Sequence, residues 1–298
     1  MSGTTTSSNS IISIAFDFKE ITKMGLSLSV LFSAIAGYLL AVDVFDLNTF
    51  LLLCIGGYAM VGASNVFNQI IERDYDALME RTKNRPIPAG RIAVRSAFIL
   101  GILLTAIGLI ALYIINPKTA MFGAISIFIY TSVYTPLKTR TPLSVFFGAI
   151  PGAIPFMLGW VAATNDFDIE PGTLFMIQFF WQFPHFWAIG WFLHDDYNKA
   201  GFKMLPTGKR DKGTLMQIIL YTVWTVVVSV IPVFGFTGEL HLSVVAAVIV
   251  LLAGLFFLYF GFELFKKKTE KAARQLMLAS VSYLTIIQIV YVLDKFIR

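Results

Sequence analysis

The sequence predicts an all-α membrane protein, a bundle of about nine transmembrane helices in which two charged cytoplasmic loops cap a central cavity. Three observations predict this fold class. Apolar residues make up 57% of the 298 residues and charged residues only 14%, whereas charged residues are about a quarter of a soluble domain. Apolar windows long enough to cross a hydrocarbon core, about 20 residues, recur along almost the whole chain. Basic residues collect in alternate connections between these windows.

The apolar windows predict nine spans, at residues 21–42, 48–70, 93–115, 119–137, 142–164, 172–193, 214–235, 241–263 and 275–294. With a cytoplasmic N-terminus, only Lys118, Lys295 and Arg298 of the 23 basic residues fall outside, and one span more or fewer would scramble this pattern. We therefore expect a bacterial cytoplasmic (inner) membrane protein with an external C-terminus. The net charge of +5 lies in these short loops, so no nucleic-acid partner is predicted.

The spans leave no room for a soluble domain, so residues 21–298 are predicted to form a single transmembrane domain. Residues 1–20 begin "MSGTTTSSNS", which carries no signal-peptide or transit-peptide pattern. They are predicted to form a disordered N-terminal tail.

The first charged loop contains "NQIIERDYDALMERTKNRP", residues 68–86. Asn68, Glu72 and Asp76 are spaced by four residues, so on a helix their side chains project from one face. Carboxylates held this close repel one another and raise each other's pKa, so a cation is needed to stabilise them. The pattern predicts Mg²⁺, which takes hard oxygen ligands from one or two carboxylates and from substrate phosphates.

Basic residues follow at once and include Arg81, Lys83 and Arg85, with Arg73 inside the acidic run. Arginine binds phosphate through two parallel hydrogen bonds, so acids for a metal beside bases for phosphate predict a diphosphate site. The alternative is a solvated loop in which these acids and bases only pair with each other.

The second charged loop follows the sixth span in "WQFPHFWAIGWFLHDDYNKAGFKMLP". Polar groups within a span are costly and face a cavity or the bundle interior, and Pro184 would open the helix there. If the sixth span continues as a helix into the loop, one face of it carries Gln178, Gln182, His185 and Asp196. Asp195 and Asp196 lie at its cytoplasmic end. The alternative for His185 is an ordinary hydrogen bond between helices.

Three stretches, "NQIIERDYDALMERTKNRPIPAG", "YTPLKTRTPLSVFFGAIPGAIPFMLGW" and "FFWQFPHFWAIGWFLHDDYNKAGFKMLP", resemble the UbiA superfamily of intramembrane prenyltransferases, and within it the branch that farnesylates haem. The similarity runs from about residue 20 to the last span. The first Asp of the superfamily motif is Glu72 here. The second motif has Leu193 and Tyr197 where the superfamily carries acids, so only Asp195 and Asp196 remain.

The resemblance implies transfer of a farnesyl group from farnesyl diphosphate to a vinyl group of haem b, with water supplying a hydroxyl group, giving haem O and diphosphate. It implies Mg²⁺ as cofactor, haem b as substrate, the lipid bilayer as surroundings, and partners in the haem pathway or oxidase assembly. Catalytic and metal-binding residues would be Asn68, Glu72, Asp76, Asp195 and Asp196. Substrate-binding residues would be Arg73, Arg81, Lys83, Arg85, Tyr134, Lys138, Gln182, His185 and Lys199.

Alternatives remain for the function and for Lys138. A related prenyltransferase could use another aromatic or tetrapyrrole acceptor. A secondary transporter would also have broken helices with polar groups in the membrane, but it does not explain acids and bases clustered on one side. Lys138, with Arg140, could simply mark a cytoplasmic loop.

Overall fold

The computed structural model describes residues 14–298, which contain helices and no strand. Nine long helices lie within these residues: α1 (Met24–Ala41), α2 (Leu47–Ile71), α3 (Val94–Ile115), α4 (Pro117–Phe128), α5 (Ser144–Thr164), α6 (Ile169–Phe192), α7 (Lys212–Val230), α8 (Val244–Lys267) and α9 (Glu270–Ile297). A π-helix (Ile129–Tyr134) and Thr135–Leu137 extend α4, and Ile231–Phe234 extends α7. The predicted all-helical bundle is confirmed.

Helix α6 differs from the other eight in composition. Those eight are long and apolar enough to cross a membrane, whereas the 24 residues of α6 include Gln178, Gln182 and His185 in the middle of the helix. It packs against α5, α7 and α9, so protein rather than lipid surrounds these polar groups, as their cost in hydrocarbon requires. The chain is therefore a multi-pass membrane protein with an internal helix that carries polar side chains.

The connections alternate between two ends of the bundle. One, here called the charged end, carries the loops at 72–93, 138–143, 193–211 and 268–269. These loops contact each other: the Lys203 backbone N–H donates to Lys138 O at 2.7 Å, and Arg210 pairs with Glu270 at 3.0 Å. The Glu80 backbone N–H of the loop at 72–93 donates to Asp196 Oδ1 at 2.9 Å. The loop at 193–211 therefore contacts two other loops predicted to share its side of the membrane and the first residue of α9.

The opposite end carries the three basic residues that the sequence placed outside. Lys118 pairs with Asp166 at 3.2 Å, Lys295 donates to Val42 O at 2.6 Å, and Arg298 donates to His241 O at 2.7 Å. Each of these contacts joins residues that are far apart in the sequence, so the connections predicted to lie opposite the charged end share one end of the bundle.

Residues 14–20 differ from the prediction of a disordered tail over 1–20. Residues 14–21 are helical, and residues 1–13 lie outside the described residues. The helical segment is held by contacts from distant positions. Arg91 pairs with Asp17 at 2.7 Å and with Glu20, and Gln69 Nε2 donates to Ile21 O at 2.9 Å. The composition of the tail does not reveal these long-range partners.

Helices α1 and α5 cross in direct backbone contact at two glycines. A Cβ atom on Gly37 would overlap the carbonyl oxygen of Phe156, and one on Gly159 would overlap that of Ala34. Helix association in a membrane depends on such close packing, because lipid tails are as apolar as the side chains. This crossing fixes α5, which forms one wall of the site described below.

We expect Gly159→Val to destabilise the protein by about 3 kcal/mol or more, because the new side chain has no space between the two backbones. The measurement is thermal unfolding of the detergent-solubilised protein. The matched control is Gly172→Val on α6, where an added Cβ meets nothing within 4 Å. Equal unfolding temperatures for the two variants would contradict the packing argument.

Candidate active site

A cavity of about 650 Å³ runs from the charged end into the bundle. Its mouth is lined by ionisable side chains from α2, from the loop after it and from the end of the α4 extension. Its interior is lined mostly by apolar and aromatic side chains of α1, α5, α6 and α9. A pocket with a charged mouth and an apolar interior suits a ligand that has an anionic head and a greasy body.

The row of polar side chains after α2 lies at the mouth. Glu72, with φ −90° and ψ 3°, interrupts the helix, and a short helix, Arg73–Asp76, follows. Hydrogen bonds of helical spacing continue across the break, from Glu72 N to Asn68 O at 2.9 Å and from Asp76 N to Glu72 O at 2.7 Å. Asn68, Glu72 and Asp76 therefore all line the cavity.

Each of these three side chains contacts a cation. Lys138 Nζ lies 2.6 Å from Glu72 Oε1, and Arg85 Nη1 donates to Asp76 Oδ2 at 2.7 Å. Lys23 Nζ donates to Asn68 Oδ1 at 3.4 Å. Glu72 and Asp76 are buried, so their pairing with cations is what makes burial of two carboxylates tolerable.

Burial and neighbouring charges shift the pKa values of this cluster. Burial raises the pKa of Asp76, and Arg85 opposes that shift only in part. For Lys138, burial lowers the pKa, but the Glu72 carboxylate together with Tyr130 and Tyr197 outweighs burial, so the net pKa is raised. Burial, followed by repulsion from Arg85 and Lys138, lowers the pKa of Lys23 to about 7. The mouth therefore has an excess of cationic groups and would be stabilised by an added anion.

The donor set fits Mg²⁺ bound together with substrate. In the described part of the chain, no three His, Cys, Asp or Glu side chains form a group that could hold a metal ion. Mg²⁺ does not need one, because it is usually bound by one or two carboxylates with water and substrate oxygens. Asp76 Oδ1 is buried without a hydrogen-bond donor, and a bound cation would satisfy that oxygen.

Asp195 and Asp196 do not join this group, contrary to the sequence prediction. They follow each other on a short helix, His194–Lys199, so their side chains point about 100° apart. Asp195 is exposed and lies 3.5 Å from Arg210. Asp196 accepts the backbone N–H of Glu80 at 2.9 Å. Asp196 thus fixes the loop at 72–93 from outside the cavity.

The predicted phosphate-binding residues separate into two sets. Arg81, Arg85 and Lys138 line the cavity. The structure does not bring the others to it; they form ion pairs with nearby acids, Arg73 with Asp74, Lys83 with Glu80, and Lys199 with Asp196. Exposed pairs of this kind contribute little to stability.

Tyr134 and Gln182 both pack on glycines of α5 that lie one helical turn apart. The Tyr134 ring lies 4.4 Å from Lys138 Nζ, close enough for a cation–π contact, and it packs on Gly148. Gln182 packs on Gly152, where a Cβ atom would overlap its amide. The small residues of α5 thus serve two purposes, contact with α1 and room for cavity side chains.

His185 is held in one orientation by Ser280 of α9. The Ser280 hydroxyl donates to Met277 O at 2.6 Å, so its oxygen accepts at 2.8 Å from Nδ1 of His185. Trp181 stacks on the ring at 4.6 Å. The tautomer that fits both hydrogen bonds of Ser280 carries its proton on Nδ1 and leaves Nε2 as a hydrogen-bond acceptor on a residue that lines the cavity.

Two groups of cavity residues were missed by the sequence reasoning. Ser33 accepts from Gln288 at 2.9 Å and from Gln178 at 3.5 Å, which joins α1, α6 and α9 inside the bundle. Gln288 lies within the last span, and intramembrane glutamines are a usable signal. Lys23 is interpreted from the sequence only as a cytoplasmic charge, although it lies at the start of the first predicted span, 21–42.

Within residues 14–298, nine long helices enclose a cavity with a cationic mouth and an apolar interior, an architecture suited to an intramembrane enzyme whose substrate has an anionic head and a greasy body. The chain belongs to the UbiA prenyltransferase family, whose model matches residues 30–284. It is 69% identical over 290 residues to the protoheme IX farnesyltransferase of Christiangramia forsetii, with 97% of each chain covered. It is 67% identical over 291 residues to that of Flavobacterium psychrophilum, again with 97% of each covered.

Solved structures have the same fold at low sequence identity. A digeranylgeranylglyceryl phosphate synthase gives a TM-score of 0.77 at 18% identity, covering 94% of this chain and 98% of that one. A UbiA homolog from Archaeoglobus fulgidus, bound to GPP and Mg²⁺, gives 0.68 at 16% identity, covering 92% and 99%. Family membership favours the prenyltransferase over the transporter alternative.

Proposed function

We propose that this protein transfers a farnesyl group from farnesyl diphosphate to a vinyl group of haem b, with addition of water, giving haem O and diphosphate. The observation that carries the proposal is the cavity, which joins a cationic mouth to an apolar interior of about 650 Å³. The names of the relatives that match nearly the whole chain support the acceptor.

The mouth would bind the diphosphate and stabilise it as a leaving group. Arg85 and Lys138 place positive charge where negative charge develops as the bond from the allylic carbon to oxygen breaks. Asn68, Glu72 and Asp76 would hold Mg²⁺, which supplies Lewis-acid neutralisation of diphosphate oxygens. The allylic carbon shares the developing positive charge, so no protein nucleophile is needed.

The inner part of the cavity would hold the acceptor. The vinyl group forms the new carbon–carbon bond with the farnesyl carbon that loses diphosphate, and positive charge passes to the other vinyl carbon. Water adds there and releases one proton. His185 Nε2 is an acceptor suited to that proton, because Ser280 keeps the ring proton on Nδ1. Gln182 and Tyr134 would orient the acceptor.

The proposal includes a location in the cell. With the charged end in the cytoplasm, the protein would lie in the bacterial inner membrane with a cytoplasmic N-terminus and an external C-terminus, as the basic residues favour. Residues 21–298 would act as one transmembrane domain. Diphosphate would then be released into the cytoplasm, while haem O would pass to haem-pathway or oxidase-assembly partners.

The test is incubation of the purified, detergent-solubilised protein with haem b, farnesyl diphosphate and Mg²⁺, followed by mass analysis of the extracted haem. We expect a gain of one farnesyl group and one water, and no gain when a chelator removes Mg²⁺. Unchanged haem together with consumption of farnesyl diphosphate would reject haem as the acceptor. The other aromatic or tetrapyrrole acceptors would then be screened.

Ser280→Ala should slow haem farnesylation about 10-fold, because His185 loses the oxygen that holds its Nδ1 proton, while proton transfer as a whole contributes about 10²- to 10⁴-fold. Binding of farnesyl diphosphate should not change. The matched control is Thr285→Ala, also on α9 and lining the cavity, whose hydroxyl donates to its own helix at Val281 O. An equal loss for Ser280→Ala in a His185→Ala background would contradict this role.

A further inference from the structure

Lys23 has an unusual backbone conformation at the entry to α1. Its φ of 47° and ψ of 56° are left-handed, a region that residues other than Gly, Asn and Asp rarely adopt. Helix α2 holds this turn with buried amides: Asn65 Nδ2 donates to Thr22 O at 3.2 Å, and Gln69 Nε2 donates to Ile21 O at 2.9 Å. Residues in such conformations persist where the surroundings impose them, commonly at functional sites.

The turn places the Lys23 side chain in the mouth of the cavity. Its amine reaches Asn68 Oδ1 at 3.4 Å, and its side chain lines the same cavity as Glu72 and Asp76. From the sequence alone, this lysine is interpreted as a loop charge that marks topology. In the structure its side chain lines the same cavity as Glu72 and Asp76.

Lys23 differs from the other two cations of the cluster in its partners. Arg85 and Lys138 each contact a carboxylate, whereas none of the ion pairs among residues 14–298 includes Lys23. Residues 1–13 contain no Asp or Glu, so that part of the chain has no acidic side chain to pair with it. A cation in a cavity mouth with only an amide oxygen as partner is suited to an anionic ligand.

We propose that Lys23 is a binding residue for the diphosphate of the prenyl donor. Residues 14–23, here called the N-terminal segment, hold the Lys23 side chain in the mouth of the cavity. The proposal deepens the proposed function and rests on it. Lys23 adds a positive charge from the start of α1 to a mouth that Arg81 and Arg85 also line, so the diphosphate would be bound between α1 and the loop at 72–93.

Arg91 is the positioning residue for this arrangement. It pairs with Asp17 and Glu20 in the N-terminal segment, and its Nη1 donates to Asn84 O at 2.8 Å in the loop at 72–93. One guanidinium therefore ties the segment that carries Lys23 to the loop that carries Arg85. Arg91 does not line the cavity, so any effect on the diphosphate passes through these two elements.

The first experiment replaces Lys23 with Asn, which tolerates the left-handed region and removes the amine. Binding of farnesyl diphosphate with Mg²⁺ is measured by calorimetry in the absence of haem. We expect Kd to rise about 10- to 100-fold, the loss of one charge-assisted hydrogen bond, with no fall in the unfolding temperature. The control is Lys19→Gln, which removes an exposed charge from the same segment and should leave Kd unchanged.

An unchanged Kd in folded Lys23→Asn protein would overturn the proposal, as would an equal rise in Lys19→Gln. Lys23→Gly, which also fits the positive φ, should repeat the Asn result. Because no acceptor is present, the outcome is separate from the proposed function: wild-type protein that binds farnesyl diphosphate but leaves haem unchanged would reject the acceptor alone.

The role of Arg91 is tested by a double-mutant cycle. Arg91→Gln should raise the Kd for farnesyl diphosphate several-fold in the wild-type background, because the N-terminal segment is released from the loop. In the Lys23→Asn background it should have no further effect, because the residue that it positions is gone. The same several-fold rise in both backgrounds would overturn the positioning role of Arg91.

Discussion

Asp76→Asn should lower the rate of prenyl transfer by about 10²- to 10³-fold, the range expected when one group that stabilises leaving-group charge is lost. The side chain is fully buried, and its Oδ2 accepts from Arg85 while its Oδ1 has no hydrogen-bond donor, so Oδ1 is available to a metal cation. Asparagine keeps the shape but neither the charge nor the affinity of a carboxylate for Mg²⁺. The expected result is therefore loss of Mg²⁺-dependent turnover.

The measurement is initial rate against Mg²⁺ concentration, with thermal unfolding of the same samples. Arg85 loses its charged partner, so we expect a stability cost of about 1–3 kcal/mol in a protein that remains folded. Asp74→Asn is the matched control, because Asp74 lies in the same short helix with its side chain 81% exposed. Near-normal turnover in folded Asp76→Asn protein would reject the metal assignment at this position.

The sequence predicted the helices well because their signal is local. Apolar windows and the alternation of basic residues need no knowledge of partners, and the same holds for the four-residue spacing of Asn68, Glu72 and Asp76 on one face. The interruption at Glu72 was not predicted, but it leaves that spacing intact.

The predictions that differ from the structure depended on distant partners. Residues 14–20 are ordered by Arg91 and Gln69, which lie far along the chain. Asp196 contacts the backbone of the loop after α2 instead of the cavity, because these two loops pack against each other. Lys23 turns inward because α2 holds a left-handed turn. Neither composition nor periodicity carries information about such contacts.

Lys138→Gln should lower the rate of haem farnesylation by about 10²-fold or more. This measurement decides whether Lys138 binds substrate or only marks the membrane topology. Its amine lies 2.6 Å from Glu72 Oε1 and 4.4 Å from the centre of the Tyr134 ring, at the boundary between the charged mouth and the apolar interior. Removal takes away a cation that would face the leaving diphosphate and leaves the buried Glu72 without its charged partner.

Arg140→Gln provides the matched control for Lys138, because both residues belong to the same short loop and both would serve equally as markers of topology. The Arg140 side chain is exposed. Its backbone makes the hydrogen bonds: the N–H donates to Leu137 O at 2.9 Å, and the oxygen accepts from Lys203 Nζ at 3.2 Å. We expect normal rates and normal membrane insertion for Arg140→Gln. If Lys138→Gln inserts normally and also keeps its rate, the role of Lys138 in binding is excluded. A loss of rate in correctly inserted protein means that the charge acts on the reaction, because topology is then unchanged.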